Sequence, residues 1–265
     1  MGNLVTNLVA LSGPGQALHA AIARLTDTEP PAVIAQLKAA PDGIAWVPFL
    51  PWRGIPEPGV VAKTANYPTT AIELGLAVLS REGTDYLRIR QDRDPSLAQM
   101  PPEYTMTAAG VLASFGLQSL SGPALHRAAE GRIEGCMDAG RAVIAAFRET
   151  GEFHWHDWRL KHWGARAFGE EMRVEACRDG SLRLRFDSVN RCPEPLIRSI
   201  ASSDPELHLH GAAIEEDSEM SVFFVSGDDG MEFLETHGDE AEMRRAYRLV
   251  YGRDPEPPED DDPEP

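Results

Sequence analysis

The chain has 265 residues, 42% of them hydrophobic, and a formal net charge of −17. This length can bury a sizeable core as one enlarged domain or as two small ones. Because no apolar stretch reaches about 18 residues and residues 1–15 lack the basic region of a signal peptide, we expect a cytoplasmic protein without a membrane span. Three cysteines without C-x-x-C spacing favour reduced thiols over a disulfide framework.

The negative charge lies mostly at the C-terminal end of the chain. Residues 214–265 hold 18 acidic and 4 basic side chains, a net of −14. Within them, residues 253–265 contain no apolar side chain able to offset the entropy lost on ordering. We therefore predict a disordered acidic tail over this last stretch.

The N-terminal third begins with a strand and a helix and then becomes rich in proline. Residues 4–11 alternate as a strand does and stop at Ser12-Gly13-Pro14, and a helix follows. Residues 43–59 are predicted to be irregular or edge-like, because proline donates no backbone hydrogen bond to a sheet. Thr70-x-x-Glu73 predicts a helix start, and residues 85–90 are interpreted as a possible strand.

The remaining elements have clearer patterns. An apolar stripe with helical spacing predicts one long helix over about 123–149. Two alternating segments flank Arg178-Asp179-Gly180, which is typical of a hairpin turn. A helix beginning near Pro193, two strands and a last helix opened by Asp239-x-x-Glu242 complete the chain.

This order of elements predicts an α+β fold. Without residues 28–169 it is strand, helix, strand, strand, helix, strand, the order of a ferredoxin-like split β-α-β antiparallel sheet with two packed helices. A large helical and irregular insertion and an extra C-terminal strand and helix are added to it. The predicted domains are a discontinuous ferredoxin-like core (1–27 plus 165–226), a proline-rich and helical insertion (28–164), a C-terminal helix region (227–252) and the acidic tail (253–265).

Two stretches, "MGNLVTNLVALSGP" and "FHWHDWRLKHWGARAF", resemble plasmid- and phage-borne proteins with a YubB (Api92-like) ferredoxin-like domain. Four residues match the tryptophan-glycine signature of that family: Asp157, Trp158, Trp163 and Gly164. Three others replace its Thr-Lys-Trp end: Ala165, Arg166 and Ala167. The resemblance implies an accessory protein of a mobile element, and it implies no catalytic residues.

The signature stretch also admits a metal site. On an extended segment the side chains at i and i+2 point to the same side, so His154 and His156 form one candidate pair and His208 and His210 another. This alternative is a metal-dependent enzyme that uses paired histidines. The competing structural interpretation has Trp158 and Trp163 buried between the long helix and the sheet.

A nucleic-acid interface is a further alternative. Arg183 and Arg185 share one strand face, which favours binding of a single strand. Glu171, Arg173 and Glu175 lie on the neighbouring strand, so we expect cross-strand ion pairs instead.

The leading hypothesis is a non-enzymatic phage or plasmid accessory protein that binds a host or element-encoded protein, such as a defence or DNA-metabolism factor. Its candidate contacts are the acidic C-terminal third and the aromatic side chains of Trp46, Phe49 and Trp52. The sequence has neither a G-x-S-x-G elbow nor a phosphate-binding G-x-x-x-x-G-K-[ST] loop. We therefore predict no catalytic residues and no cofactor.

Overall fold

A computed structural model describes residues 3–81, 83–93, 107–215 and 220–255. The predicted acidic tail lies outside the described residues from position 256 onward. No helix in the described part of the chain is long and apolar enough to cross a membrane.

The fold is α+β, as predicted, and is built on one seven-stranded antiparallel sheet. Its strands are β1 (Leu4–Ser12), β2 (Ile44–Pro48), β3 (Glu171–Ala176), β4 (Leu182–Val189), β5 (His208–Glu215), β6 (Met220–Gly227) and β7 (Gly230–His237). The order across the sheet is β2-β3-β4-β1-β5-β6-β7, and every neighbouring pair is antiparallel. The N-terminal strand therefore lies in the middle of the sheet.

The helices are α1 (Gly15–Ala23), α2 (Pro30–Ala39), α3 (Gly59–Ala62), α4 (Thr69–Ser80), α5 (Tyr86–Arg93), α6 (Ala108–Ser114), α7 (Gly122–Arg132), α8 (Cys136–Thr150), α9 (Trp155–His162), α10 (Glu194–Ala201) and α11 (Glu240–Tyr251). The chain forms two compact units. We call residues 1–56 with 159–265 the sheet unit, and residues 57–158 the helical unit. Residues 28–56 of the predicted insertion, and β2 with them, thus belong to the sheet unit.

The first face of the sheet carries the main core of the sheet unit. Strand alternation places Val5, Val9 and Leu11 of β1 on this face, in one apolar core with residues of helices α1, α2 and α10. Asn7 is buried among these residues and its side-chain amide donates to Ser188 Oγ at 2.8 Å. The same Nδ2 group also donates to the carbonyl of Phe186, whereas Oδ1 of Asn7 is buried without a hydrogen-bond partner among the described residues.

The second face is covered in part by α11. This helix begins at Asp239, whose carboxylate accepts hydrogen bonds from the backbone of Ala241 and Glu242, and ends at Gly252 with a φ of +72°. Both ends agree with the sequence prediction. Its apolar side packs on β1, β5 and β6, where Leu8 lies beneath it.

The helical unit has a separate apolar core in which α4 packs against α8. The N-terminus of α8 is capped by Glu130, whose carboxylate accepts from the backbone of Gly135 and Met137, each at 2.8 Å. These hydrogen bonds hold the pKa of Glu130 below its usual value, the one from Met137 most strongly. The cap places a negative charge where the helix dipole favours one.

Two sequence predictions in this unit are wrong. The helix predicted over 123–149 is two helices, because the chain turns at Gly135 with a φ of +77°. The strand predicted over 85–90 is helix α5, which Asp85 starts by accepting a hydrogen bond from the backbone of Arg88. An N-terminal cap of this kind outweighs the β-branched and aromatic residues that suggested a strand.

The predicted C-terminal helix region (227–252) also contains β7. The pair Asp228-Asp229 forms a two-residue turn between β6 and β7, with Gly227 opposite Gly230. A tight hairpin therefore extends the sheet by one strand more than the sequence prediction.

Candidate functional site

Helix α11 divides the second face of the sheet into two exposed surfaces, because it covers β1, β5 and β6 only in part. We call the second-face surface of β2, β3 and β4 the open half. We call the second-face surface of β6 and β7, around Val225 and Leu234, the edge strip. Both surfaces belong to the sheet unit.

A row of side chains crosses the open half. Strand register places Trp46 opposite Arg173, Arg173 opposite Arg185, and Arg185 opposite Leu8. Neighbouring strands lie about 4.8 Å apart, so the backbone positions of Trp46 and Arg185 are about 10 Å apart. Trp46 is 56% exposed at the outer end of the row, and Leu8 at the inner end lies under α11.

A groove of about 330 Å³ lies between this row and the C-terminal end of α11. We call it the arginine groove, since its lining includes Arg173, Arg183, Arg185 and Arg248. The guanidinium of Arg185 lies 5.9 Å from the ring centroid of Tyr251, which also lines the groove.

The predicted cross-strand ion pairs are wrong for these arginines. Arg173 pairs along its own strand with Glu175, at 3.5 Å, and faces Arg185 across the sheet. Glu175 lies opposite Arg183 in register. Within the described residues, however, neither Arg183 nor Arg185 forms an ion pair with a carboxylate. Like charges placed directly opposite each other destabilise a sheet, and an anion bound between them would relieve the repulsion.

The edge strip lies on the other side of α11 and is mainly apolar, with Glu232 of β7 among its lining residues. Val225 is 47% exposed and Leu234 is 58% exposed. A groove of about 580 Å³ joins them to Phe223 and to Arg245 and Leu249 of the helix. In the described chain β7 is the last strand of the sheet on this side.

The aromatic contacts predicted from the sequence occupy different environments. Trp46 and Trp52 are both about half exposed, at 56% and 48%. Phe49 is a core residue: its ring stacks on that of Phe186 at 4.4 Å, and its backbone donates to Glu170. The prediction that Phe49 is a surface contact is therefore wrong, because the alternation of β2 continues through Phe49 and turns its ring to the first face.

The tryptophan-glycine stretch forms helix α9, not the extended segment assumed for the metal alternative. Asp157 lies in its first turn, and three basic residues lie in its last turn, an arrangement that the helix dipole favours. Trp158 is buried. His154 lies just before this helix and His156 in its first turn, so the pair does not lie on the extended segment that the metal alternative assumed.

Trp163 and Gly164 are closely packed within the sheet unit. The indole N–H of Trp163 donates to the carbonyl of Ile55 at 2.8 Å, and its ring is buried. Gly164 has a φ of +82°, and a Cβ there would lie 2.6 Å from Pro195 Cδ. Of the three positions that differ from the family signature, Ala165 is buried, whereas Arg166 and Ala167 are exposed.

The two predicted histidine pairs lie in different units. His154 and His156 have ring centroids 5.0 Å apart in the helical unit. Burial, together with the neighbouring His156 and Arg90, lowers the pKa of His154 to about 4. His208 and His210 are exposed on the second face of β5. Among the residues that the structure describes, no three His, Cys, Asp or Glu side chains are grouped to hold a metal ion.

Several residues of both surfaces were missed by sequence reasoning. Arg248 and Tyr251 reach the arginine groove only because α11 lies across the sheet, and no sequence pattern indicates this. Val225 and Leu234 could have been found, since residues 230–237 alternate as a strand does and follow a turn.

Comparison with known proteins gives little further information. No protein-family model and no curated protein matches the chain. The crystal structure of a protein api92 from Yersinia pseudotuberculosis, with the family model DUF1281, is similar over 90% of this chain and 99% of that chain. The TM-score is 0.38 and the sequence identity is 12%.

Proposed function

We propose that the protein is a non-enzymatic binding protein that recognises another protein through the edge strip. The observation that carries this proposal is the exposure of Leu234, at 58%, on the strand that ends the described sheet. Val225 on the neighbouring strand is 47% exposed. In the described chain β7 has no neighbouring strand on its outer side, and such an edge is a site for strand addition by a partner.

The proposed partner segment is extended and carries both apolar and basic side chains. Its apolar side chains would cover Leu234 and Val225 on the second face of the sheet. Its basic side chains would meet Glu232 and Glu235 of β7, and residues 214–265 have a net charge of −14. This combination of an apolar centre and complementary charge favours specific recognition.

We further propose that β3, β4, β1 and β5 form a ferredoxin-like core. Their order and antiparallel pairing, with α1 after β1 and α10 between β4 and β5, support it. The proposed setting, an accessory role in a phage or plasmid through a host or element-encoded partner, is supported by the resemblance at Trp163 and Gly164. Of the predicted aromatic contacts, Trp52 has the exposure that an additional contact in such a complex requires.

The test compares two exposed leucines of the sheet unit. Leu234→Lys alters the edge strip, and Leu4→Lys is the matched control because Leu4 is 56% exposed on β1. A tagged full-length chain is used to capture and identify a partner, which is then purified and titrated against the wild type and both variants. Circular dichroism checks that each variant is folded.

We expect Leu234→Lys to weaken binding of the partner at least about tenfold, since it places a charge where an apolar contact is proposed. Leu4→Lys is expected to bind as the wild type does. Equal affinities of the two variants, or no stoichiometric partner at low salt, would contradict the proposal.

A further inference from the structure

We infer that the arginine groove and Trp46 together bind a single-stranded nucleic acid, with phosphates on the arginines and a base on the indole ring. This surface lies on the opposite side of α11 from the edge strip. The inference therefore does not depend on the protein-binding proposal.

The charge of the groove is the first argument. Four arginines and one glutamate, Glu175, are its charged lining residues. Arg248 is paired with Asp254 and Arg173 with Glu175. Arg183 and Arg185 form no ion pair with a carboxylate in the described chain, although Arg183 interacts electrostatically with Asp179. The groove therefore carries a net positive charge, although the net charge of the whole chain is −17.

The chemistry of arginine makes phosphate a suitable ligand. A guanidinium presents several N–H donors in a plane and can bind two phosphate oxygens at once. Arg173 and Arg185 are direct neighbours across the strands, so one phosphate can be shared between them. Such a bridging anion would remove the repulsion between these two like charges.

The position of Trp46 indicates a ligand that is larger than a single phosphate. It lies next to Arg173 at the open edge of the sheet and is 56% exposed. Exposed aromatic rings on a sheet face stack on unpaired bases in proteins that bind single strands. Trp46 and Arg185 are about 10 Å apart, which a nucleotide with its flanking phosphates can span.

Two carboxylates near the arginine groove would weaken the binding of an anion but do not block the groove. Asp187 accepts a hydrogen bond from the hydroxyl of Thr6 at 2.9 Å, and Glu171 lies exposed at the start of β3. Neither carboxylate lines the arginine groove. Because the whole chain is negative, we expect binding to be detectable only at low ionic strength.

The test measures fluorescence anisotropy of labelled oligothymidine and oligouridine of about twenty nucleotides, from about 20 to 300 mM sodium chloride. The full-length wild type is compared with Arg173→Gln/Arg185→Gln. The matched control is Arg132→Gln/Arg141→Gln, which removes the same charge from exposed positions in the helical unit. Trp46→Ala tests the stacking contact.

We expect the groove variant to lose at least about tenfold in affinity and the control variant to keep wild-type affinity. The slope of log affinity against log salt should fall by about 0.7, the value for the one phosphate that Arg173 and Arg185 share. Trp46→Ala should lose about tenfold in affinity with no change of slope, because stacking involves no ion release.

Three results would overturn the inference. They are the absence of binding to either oligonucleotide at the lowest salt, equal losses in the groove and control variants, and displacement of the probe by inorganic phosphate or adenosine monophosphate at an equal concentration of phosphate groups. The last result would assign the groove to free phosphate or a mononucleotide. Leu234→Lys should leave oligonucleotide binding unchanged, which separates this site from the proposed protein contact.

Discussion

Gly75 and Gly140 meet where helices α4 and α8 cross. A Cβ on Gly140 would lie 2.7 Å from the carbonyl carbon of Gly75, and a Cβ on Gly75 would lie 2.1 Å from the carbonyl oxygen of Cys136. Real Cβ atoms do not approach backbone atoms this closely. The two glycines therefore set how closely these helices pack in the core of the helical unit.

The first prediction concerns this helix crossing. Gly75→Ala should lower the free energy of unfolding by about 1–3 kcal/mol, since the helices must separate to admit the methyl group. Gly131→Ala in α7 is the matched control, with no atom within 4 Å of its added Cβ. It should stabilise the protein by about 0.5–1 kcal/mol, because alanine favours a helix more than glycine does. Urea unfolding measures the free energy of unfolding of each variant. Similar changes in the two variants would contradict the prediction.

The second prediction concerns pH and His154. The pKa of this imidazole falls from 6.5 to about 4 because of burial and the positive charge of its neighbours His156 and Arg90. Between these two pH values the unfolded chain binds more protons than the folded chain. The stabilisation from neutral His154 is therefore complete above about pH 6.5 and is lost as the pH falls toward 4.

Thermal unfolding across this pH range tests the assignment. His154→Gln should have a flatter dependence of melting temperature on pH than the wild type. The exposed His208, changed to Gln, serves as the control and should retain the slope. If the melting temperature of His154→Gln depends on pH as steeply as that of the wild type, another group is responsible for the pH dependence.

The third prediction compares two tryptophans of the sheet unit. Trp163→Phe removes the indole donor to Ile55, leaves that carbonyl without its partner and opens a gap beside a buried ring. A loss of about 1–3 kcal/mol in unfolding free energy is expected. Trp52→Phe, at a site that is 48% exposed, should change it by less than about 0.5 kcal/mol. Chemical denaturation measures the free energy of unfolding of both variants. Equal losses would mean that the buried contacts of Trp163 do not stabilise the fold more than the exposed ring of Trp52 does.

Local patterns explain which parts of the fold were predictable. The alternation of β1, the Asp179-Gly180 turn and the Asp239 cap each involve residues close in sequence, and all three predictions agree with the structure. Strand β2 was identified only as irregular or edge-like, since its pairing with β3 joins residues more than a hundred positions apart. The strand predicted at residues 85–90 was wrong because a capping aspartate decided the local structure.

The candidate site was predictable only in part, for a related reason. The sequence indicates that Arg183 and Arg185 share a face, because strand alternation is local. It does not give the register, which sets Arg173 opposite Arg185 and removes the expected ion pairs. The contribution of Arg248 depends on the packing of α11, which is a tertiary property.

The central position of β1 determines the order in which the nascent chain can fold. Leu4 pairs with Val189 and Thr6 with Ile214, so β1 has neither neighbour until β4 and then β5 have been synthesised. At about 5–20 residues per second, β1 waits about 10 to 40 s for the ribosome to reach β5. The helical unit is continuous in sequence, from 57 to 158, and is fully synthesised during that interval. Translation thus completes the helical unit before either neighbour of β1 has been made.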